Sequence, residues 1–211
     1  MCWQLRVMAN NLHHNDPLPN HPEPPPDFFN RPLPVIESVG VWYRLNAVEY
    51  SSALYFDRSG KGRFDSPTQG YGILYVGVDQ YAAFIETFGR VHGAKGVSEA
   101  VLKQRNLFAI KTRRPLILVD FTGSGLVKLG ADGRISSGSY NMARIWAKAV
   151  WEHPMQVDGI RYRSRHDDER FCCGLFDRIA SDLQEDNLGN LVDHHPKLLS
   201  EILTEYDYGL L

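Results

Sequence analysis

Cysteine is scarce. There are three in 211 residues, and two of them, Cys172 and Cys173, are adjacent, which argues against a disulfide framework. Long apolar runs are missing as well: they are no more than strand-sized, as in Leu116 to Val119 with Phe121 after Asp120, so nothing reads as a membrane span. The first residues, Met1 to Asn15, hold Trp, Gln, Arg and two His where a signal peptide would be basic and then apolar. Neither sign of charge dominates, with 23 basic residues against 25 acidic and a formal net charge of −2. No long-range pull toward nucleic acid or a membrane surface follows. These absences together read as a soluble, untargeted protein of a reducing cytoplasm.

Several chemical signatures are absent too. No GxSxG elbow and no GxxxxGK[ST] loop occurs, which weakens acyl-hydrolase and P-loop readings. The histidine pairs His13-His14 and His194-His195 are adjacent, whereas zinc needs spaced ligands, and Cys172-Cys173 adds no CxxC, so no metal site is expected. The segment Phe121-Thr-Gly-Ser-Gly-Leu126 follows an apolar strand but carries Lys128 where a dinucleotide fingerprint needs its third glycine. It reads as a turn with no helix opening there.

What is present is enough apolar material, 43% of the chain and 11% aromatic, for one domain at the usual roughly 100 to 200 residues per domain. Eight of the 12 prolines fall between Pro17 and Pro34. Proline lacks an N–H and constrains its predecessor, so residues 1–37 read as an extended, partly polyproline-like leader, with Phe28 and Phe29 hinting that part of it docks. Residues 38–211 form the single compact domain.

Within it, Val41 to Asn46 alternates as a strand with Val41, Tyr43 and Leu45 on one face and Trp42, Arg44 and Asn46 on the other. Residues 58–67 are a Gly-rich loop. Ile73 to Val78 is a second strand, with Ile73, Tyr75 and Gly77 on one face. Tyr81, Phe84, Ile85 and Phe88 then recur at helical spacing, a helix with a core stripe that Gly89 and Gly93 end. Further strands are predicted over Leu107–Lys111, Pro115–Phe121, Val157–Ser164 and Phe171–Phe176. Helices are predicted over Val97–Gln104, around Met142, Ile145, Trp146, Ala149 and Val150, and over Pro196–Tyr206, with proline suited to a first turn. Strands outnumber helices without a strict strand–helix rhythm, which points to an α+β, mixed α/β fold built on one mixed sheet.

Five polar residues stand out against this frame. Arg44 sits mid-strand, where a guanidinium must be paired or must face a ligand, because an unpaired buried charge is costly. Arg63 lies in the flexible loop Gly60-Lys-Gly-Arg-Phe-Asp-Ser, a setting that suits a phosphate and also an ordinary solvated charge. Tyr75 shares its strand face with Gly77, and a glycine beside an aromatic ring marks a close approach of ligand or backbone. Glu86 falls off the apolar stripe, with the small Ala82 and Ala83 one turn back. Ser164 shares a face with Ile160 and Tyr162, turned inward, while Arg161, Arg163 and Arg165 take the other face.

Read in order, Trp42-Tyr43-Arg44, Gly62-Arg63-Phe64, Ile73-Leu-Tyr75-Val-Gly77, Ala83-Phe-Ile-Glu86-Thr and Asp158-Gly-Ile-Arg-Tyr-Arg-Ser164 resemble the RES domain family, over roughly Val39 to Phe176. The resemblance implies a fold related to the ADP-ribosyltransferase toxins, a twisted mixed sheet with flanking helices. It also implies cleavage of the nicotinamide–ribose bond of NAD⁺, commonly by a cytoplasmic toxin paired with a helix-turn-helix (Xre-type) antitoxin. The family's Arg, second Arg, Tyr, Glu and Ser fall on Arg44, Arg63, Tyr75, Glu86 and Ser164. The chain departs from the pattern in its Pro-rich leader and in the tail after about Asp177.

The implied chemistry needs only one carboxylate. The nicotinamide nitrogen of NAD⁺ is already cationic and leaves neutral, unlike the leaving group of glycosidases that use two carboxyl groups. In this reading Glu86 stabilises the ribosyl cation and orients the nucleophile, Arg44 and Arg63 clamp the pyrophosphate or an inorganic phosphate co-substrate, Tyr75 stacks on nicotinamide or ribose, and Ser164 holds Glu86 or a substrate hydroxyl. No prosthetic group is implied, since NAD⁺ is the substrate. Water as nucleophile makes an NAD⁺ glycohydrolase, phosphate an NAD⁺ phosphorylase, and a protein side chain an ADP-ribosyltransferase. A non-catalytic RES-like module that binds a nucleotide or protein, and an unrelated fold with a structural Arg44–Glu86 ion pair, are the competing readings. Homo-oligomerisation rests on no residue that can be named.

Overall fold

In the computed structural model residues 21–89 and 95–211 are described. Met1–Asn15, the pair His13-His14 and Gly93 lie outside them. In chain order the elements are β1 (Val35–Ser38), β2 (Val41–Ala47), β3 (Ile73–Gly77), α1 (Gln80–Phe88), β4 (Gly96–Val97), α2 (Glu99–Lys103), β5 (Arg105–Thr112), β6 (Leu116–Phe121), α3 (Gly123–Leu129), α4 (Arg134–Ser137), α5 (Tyr140–Glu152), β7 (Gly159–Arg163), β8 (Phe171–Phe176), β9 (Leu183–Asn187), α6 (Leu191–His194), α7 (Pro196–Glu205) and β10 (Gly209–Leu210). Among the described residues eight strands make one mixed sheet in the order β1-β6-β7-β8-β3-β2-β5-β9. Every neighbouring pair is antiparallel except β6 and β7. The α+β reading of the sequence is therefore the observed class. No helix among the described residues is long and apolar enough to cross a membrane.

Period-2 alternation sets the two faces of the sheet. On one face Ile73, Val119, Phe121, Ile160, Tyr162, Cys172 and Phe176 pack with Trp146 and Val150 of α5. On the other, Trp42, Leu74, Val76, Ile110, Leu118, Cys173 and Leu175 pack with Ile179 and Leu183. A third cluster joins Leu45 and Leu107 to Phe84 of α1, Leu102 of α2, Leu191 of α6, and Leu199 and Ile202 of α7.

The sequence reading needs correction at several elements. The end of the leader is built into the domain: Phe28 is 2% exposed, sits edge-on to Trp146 at 5.6 Å, and Trp146 Nε1 donates to Pro22 O at 2.8 Å. Val35–Ser38 pairs with β6 as an edge strand, so the boundary at residue 37 cuts through a strand. Proline at position 34 is tolerated because it sits just outside the ladder at a sheet edge. A helix, α3, does open at Gly123, where only a turn was expected. An added Cβ at Gly125 would lie 2.1 Å from Asp120 O, so these glycines serve the tight strand-to-helix turn. On α5 Ile145 is 40% exposed while Ala143 and Ala147 are fully buried, a stripe rotated toward the smaller residues.

His153 fastens the leader as well. Its Nε2 lies 3.3 Å from Phe28 O and 3.1 Å from Arg31 O, while Met155 N donates to Nδ1 at 3.1 Å. Two carbonyls on one ring nitrogen and an N–H on the other fix the neutral tautomer with its proton on Nε2. Removing the Phe28 ring empties a site shared by Trp146 and His153. Phe28→Ala is expected to destabilise the fold by about 3 kcal/mol or more, read as a lower urea midpoint; an unchanged midpoint would show that the leader packs elsewhere.

Candidate active site

Strands β2 and β3 touch at one registered pair only, Tyr43 with Gly77. Each is fully laddered on its other side, β2 to β5 over seven residues and β3 to β8 over five. Past Tyr43 and Gly77 they part, and Asp57 takes the vacant edge through reciprocal backbone bonds with Ile73 of 2.9 and 3.0 Å. The gap is the mouth of a cleft of about 440 Å³. Arg44 lines it from β2, Tyr75 from β3, Glu86 and Thr87 from α1, and Arg63 from the loop before β3, with Ser136, Tyr140, Tyr162 and Arg165 completing the wall.

Helix α1 carries Glu86 to this gap. Asp79 caps it, its side chain accepting from Ala82 N at 2.7 Å. Ala82 and Ala83 are buried because the helix lies directly on Gly77, where an added Cβ would meet Ala83 N at 2.7 Å and Ala82 Cβ at 2.8 Å. The small residues flanking Glu86 therefore face the sheet. Glu86 is half-buried, and its Oε1 accepts from Ser164 Oγ at 2.6 Å. Ser164 itself is 2% exposed, directly after β7, and its hydroxyl accepts from the backbone N–H of His166 at 3.1 Å and of Asp167 at 3.3 Å. A hydroxyl has one proton and two lone pairs. With both lone pairs engaged, the proton can only point at Glu86.

Arg63 is 6% exposed. Its Nη1 donates to Gly138 O at 2.8 Å and to Ile135 O at 3.4 Å, and the Tyr140 ring lies over it at 4.5 Å. Nη2 is buried and has no hydrogen-bond partner among the described residues, an arrangement that costs stability unless an anion completes it. Burial lowers the guanidinium's pKa, while Tyr140 and Glu86 act in the opposite sense. The loop is held from below by Asp65, which is fully buried. Its carboxylate accepts from Gly62 N at 2.7 Å and from the Tyr75 hydroxyl at 2.8 Å, and that hydroxyl accepts from Phe64 N at 2.8 Å. Burial, then Asp65, push the Tyr75 phenol well above its ordinary range, so it stays a donor. An added Cβ at Gly62 would lie 2.4 Å from Asp65 Oδ1; only glycine fits over this knot.

Arg44 lines the cleft from β2 and donates to Tyr55 O at 3.5 Å. Burial lowers its pKa, with Asp57 and Glu185 opposing.

The RES domain family profile matches residues 41–195, the greater part of the chain and the whole of this cleft. The chain belongs to the RES domain family. Among its relatives is the probable toxin y4kH of Sinorhizobium fredii (strain NBRC 101917 / NGR234), 27% identical over 126 residues that make up 58% of this chain and 98% of the relative. Among solved structures, the crystal structure of the M. tuberculosis MbcT–MbcA toxin–antitoxin complex contains a chain with the same fold, at a TM-score of 0.58 and 16% identity, over 81% of this chain and 92% of that one.

In this RES domain Arg44, Arg63, Tyr75 and Glu86 line one cleft, and Ser164 stands behind Glu86 as its hydrogen-bond donor. The Tyr75 hydroxyl is committed to Asp65 and the Phe64 amide, which leaves its ring, not its oxygen, to meet a ligand. Arg165, assigned by alternation to a solvated edge, lines the cleft, because β7 stops at Arg163 and the chain turns at Ser164. Arg161 is drawn inward by Asp120 at 3.1 Å. Asp65 and Tyr140 escaped the sequence reading, the first because a polar residue in a Gly- and Pro-containing loop looks like any turn residue, the second because it begins a helix with no pattern to mark it.

Two outcomes check this geometry. Tyr75→Phe strands Asp65 and the Phe64 amide and is expected to cost about 1 to 3 kcal/mol in urea unfolding; a wild-type midpoint would mean that the knot carries no weight. Cys172 and Cys173 are free and buried; burial first, then Glu86, pushes the Cys172 thiol well up, and burial raises Cys173 to about 12. Neither is expected to react with a thiol reagent at pH 8 before unfolding, and mass-spectrometric mapping of modified Cys172 in folded protein would contradict the burial.

Proposed function

We propose that this RES domain cleaves the nicotinamide–ribose bond of NAD⁺, as an NAD⁺ phosphorylase or an NAD⁺ glycohydrolase, and acts as the toxin of a toxin–antitoxin pair. The observation that carries the reading is the pairing of a fixed carboxylate, Glu86 held by Ser164 at 2.6 Å, with a buried guanidinium on the same cleft whose Nη2 has no partner among the described residues. A dinucleotide brings a pyrophosphate for the cation and a ribosyl cation for the carboxylate.

The step is electronically simple. The bond from ribose C1″ to the pyridinium nitrogen breaks, its electron pair neutralises the departing nicotinamide, and positive charge develops at the ribose. A carboxylate already oriented by Ser164 stabilises that charge without reorganising. Arg63 and Arg44 hold phosphate oxygens from the loop before β3 and from β2, since planar guanidinium forks suit them. Water, losing a proton to solvent, or phosphate then adds at C1″, giving ADP-ribose or ADP-ribose 1″-phosphate. The toxin role draws on the relative named as a probable toxin and on the fold shared with a chain of a toxin–antitoxin complex. The partner would be a helix-turn-helix antitoxin, with a helical segment covering the cleft beside Arg44 and Glu86.

Purified protein incubated with NAD⁺, with and without phosphate, is expected to release nicotinamide, with the sugar product naming the nucleophile. Glu86→Gln is expected to lower kcat by about a hundredfold or more. Absence of release by wild type in both buffers would overturn the enzymatic reading, ADP-ribose binding without turnover would make the domain a nucleotide-binding module, and full activity of Glu86→Gln would overturn the mechanism.

A further inference from the structure

Residues 196–211 lie beyond the part of the chain that matches the RES family, yet they reach the Glu86–Ser164 pair from behind. Helix α7 anchors them through buried Leu199 and Ile202. At its C-terminal end the Tyr206 ring stacks on Phe84 of α1, at 6.4 Å and 7° between planes. The Tyr206 hydroxyl donates to Asp167 Oδ2 at 2.8 Å, and the backbone N–H of the same Asp167 donates to Ser164 Oγ. Tyr208 sits edge-on to Phe84, and its hydroxyl lies 3.5 Å from Phe88 O at the far end of α1.

Arg170 closes the circuit. Its Nε meets Asp167 Oδ2 at 3.4 Å, its Nη1 meets Asp79 Oδ2 at 3.0 Å, and Asp79 Oδ1 caps α1. Its guanidinium lies over the Tyr81 ring at 4.7 Å, and its backbone carbonyl accepts from Ser164 N at 2.9 Å. The helix that carries Glu86 and the turn that aims Ser164 are thus tied by one arginine, and the C-terminal segment grips both.

We propose that residues 196–211 brace the Glu86–Ser164 pair, with Tyr206 and Arg170 as positioning residues that keep the Ser164 proton on Glu86. The inference rests on the reading of Glu86 as the reacting carboxylate. Its physical basis is that the direction of the Ser164 hydroxyl depends on where the His166 and Asp167 amides stand, and Tyr206 with Arg170 holds Asp167 in place. A loosened turn leaves substrate binding at the Arg63 and Arg44 walls intact and weakens only the alignment at the reacting carbon.

The test uses the full chain with two readouts, steady-state nicotinamide release and amide hydrogen exchange at His166 and Asp167. Tyr206→Phe, which removes one oxygen and keeps the stacked ring, is expected to lower kcat about tenfold, the equivalent of one hydrogen bond, with KM for NAD⁺ unchanged and exchange at both amides faster. Arg170→Met is expected to show the same split more strongly, with Arg170→Lys partly restoring kcat through Asp79. Wild-type kcat and wild-type exchange in Tyr206→Phe, or a loss confined to KM, would overturn the brace. Where wild type itself releases no nicotinamide, the proposed reaction fails, and the exchange data decide alone: faster exchange upholds the brace and unchanged exchange overturns it.

Discussion

The site depends on the contact between α1 and Gly77. This glycine is where β2 and β3 last touch, paired with Tyr43, and where an added Cβ would run into Ala82 and Ala83. Two consequences come from the one close approach. The helix sits low enough on the sheet to bring Glu86 within reach of Ser164, and the strands beside it are free to part. An alanine at residue 77 would have to lift the helix or shift the strand, and either movement displaces the carboxylate from the cleft. The fully laddered outer edges of β2 and β3 keep the opening rigid, so the gap is a fixed feature of the sheet.

Charge is distributed to match. Across the chain acids slightly outnumber bases, yet the cleft is lined by Arg44, Lys61, Arg63, Arg105 and Arg165 against only Asp57 and Glu86. A global sum describes long-range attraction, whereas a ligand's pyrophosphate responds to charges within a few ångströms, where screening is weak and burial strengthens each contact. Arg63 is the sharpest case, because its burial is compensated on one nitrogen by carbonyls and left open on the other. Such a residue costs the empty protein stability and rewards an anion that arrives.

Much of the fold was legible because burial imposes period. The alternation of Val41–Asn46, Ile73–Val78 and Val157–Ser164 placed Tyr75 on the face of Gly77 and turned Ser164 inward, where it is buried. The helical spacing of 81–88 located α1, although the stripe understated how closely Ala82 and Ala83 press on the sheet. Elements whose sequences answer to other constraints were hidden. Leu183–Asn187 is a polar edge strand with little apolar alternation to read, Val35–Ser38 is masked by the prolines that precede it, Pro32 and Pro34, and α3 opens on glycines that resemble a turn. The same limit applies to the site. Residues on regular elements, Arg44, Tyr75 and Glu86, could be assigned a face, whereas Asp65, Arg165 and the Asp167–Arg170–Tyr206 ties depend on loop geometry and on contacts between residues far apart in sequence. Family resemblance supplied Arg63, whose loop alone would have read as solvated.

The central claim is that the parted β2–β3 edge holds NAD⁺ with its scissile bond at Glu86. It is tested most directly by a crystal structure of the Glu86→Gln protein with NAD⁺ bound. The pyrophosphate is expected between Arg63 and Arg44, with Arg63 Nη2 within hydrogen-bond distance of a phosphate oxygen, and the nicotinamide ribose against residue 86. NAD⁺ bound outside the cleft, or inside it with the nicotinamide ribose remote from residue 86, would contradict it.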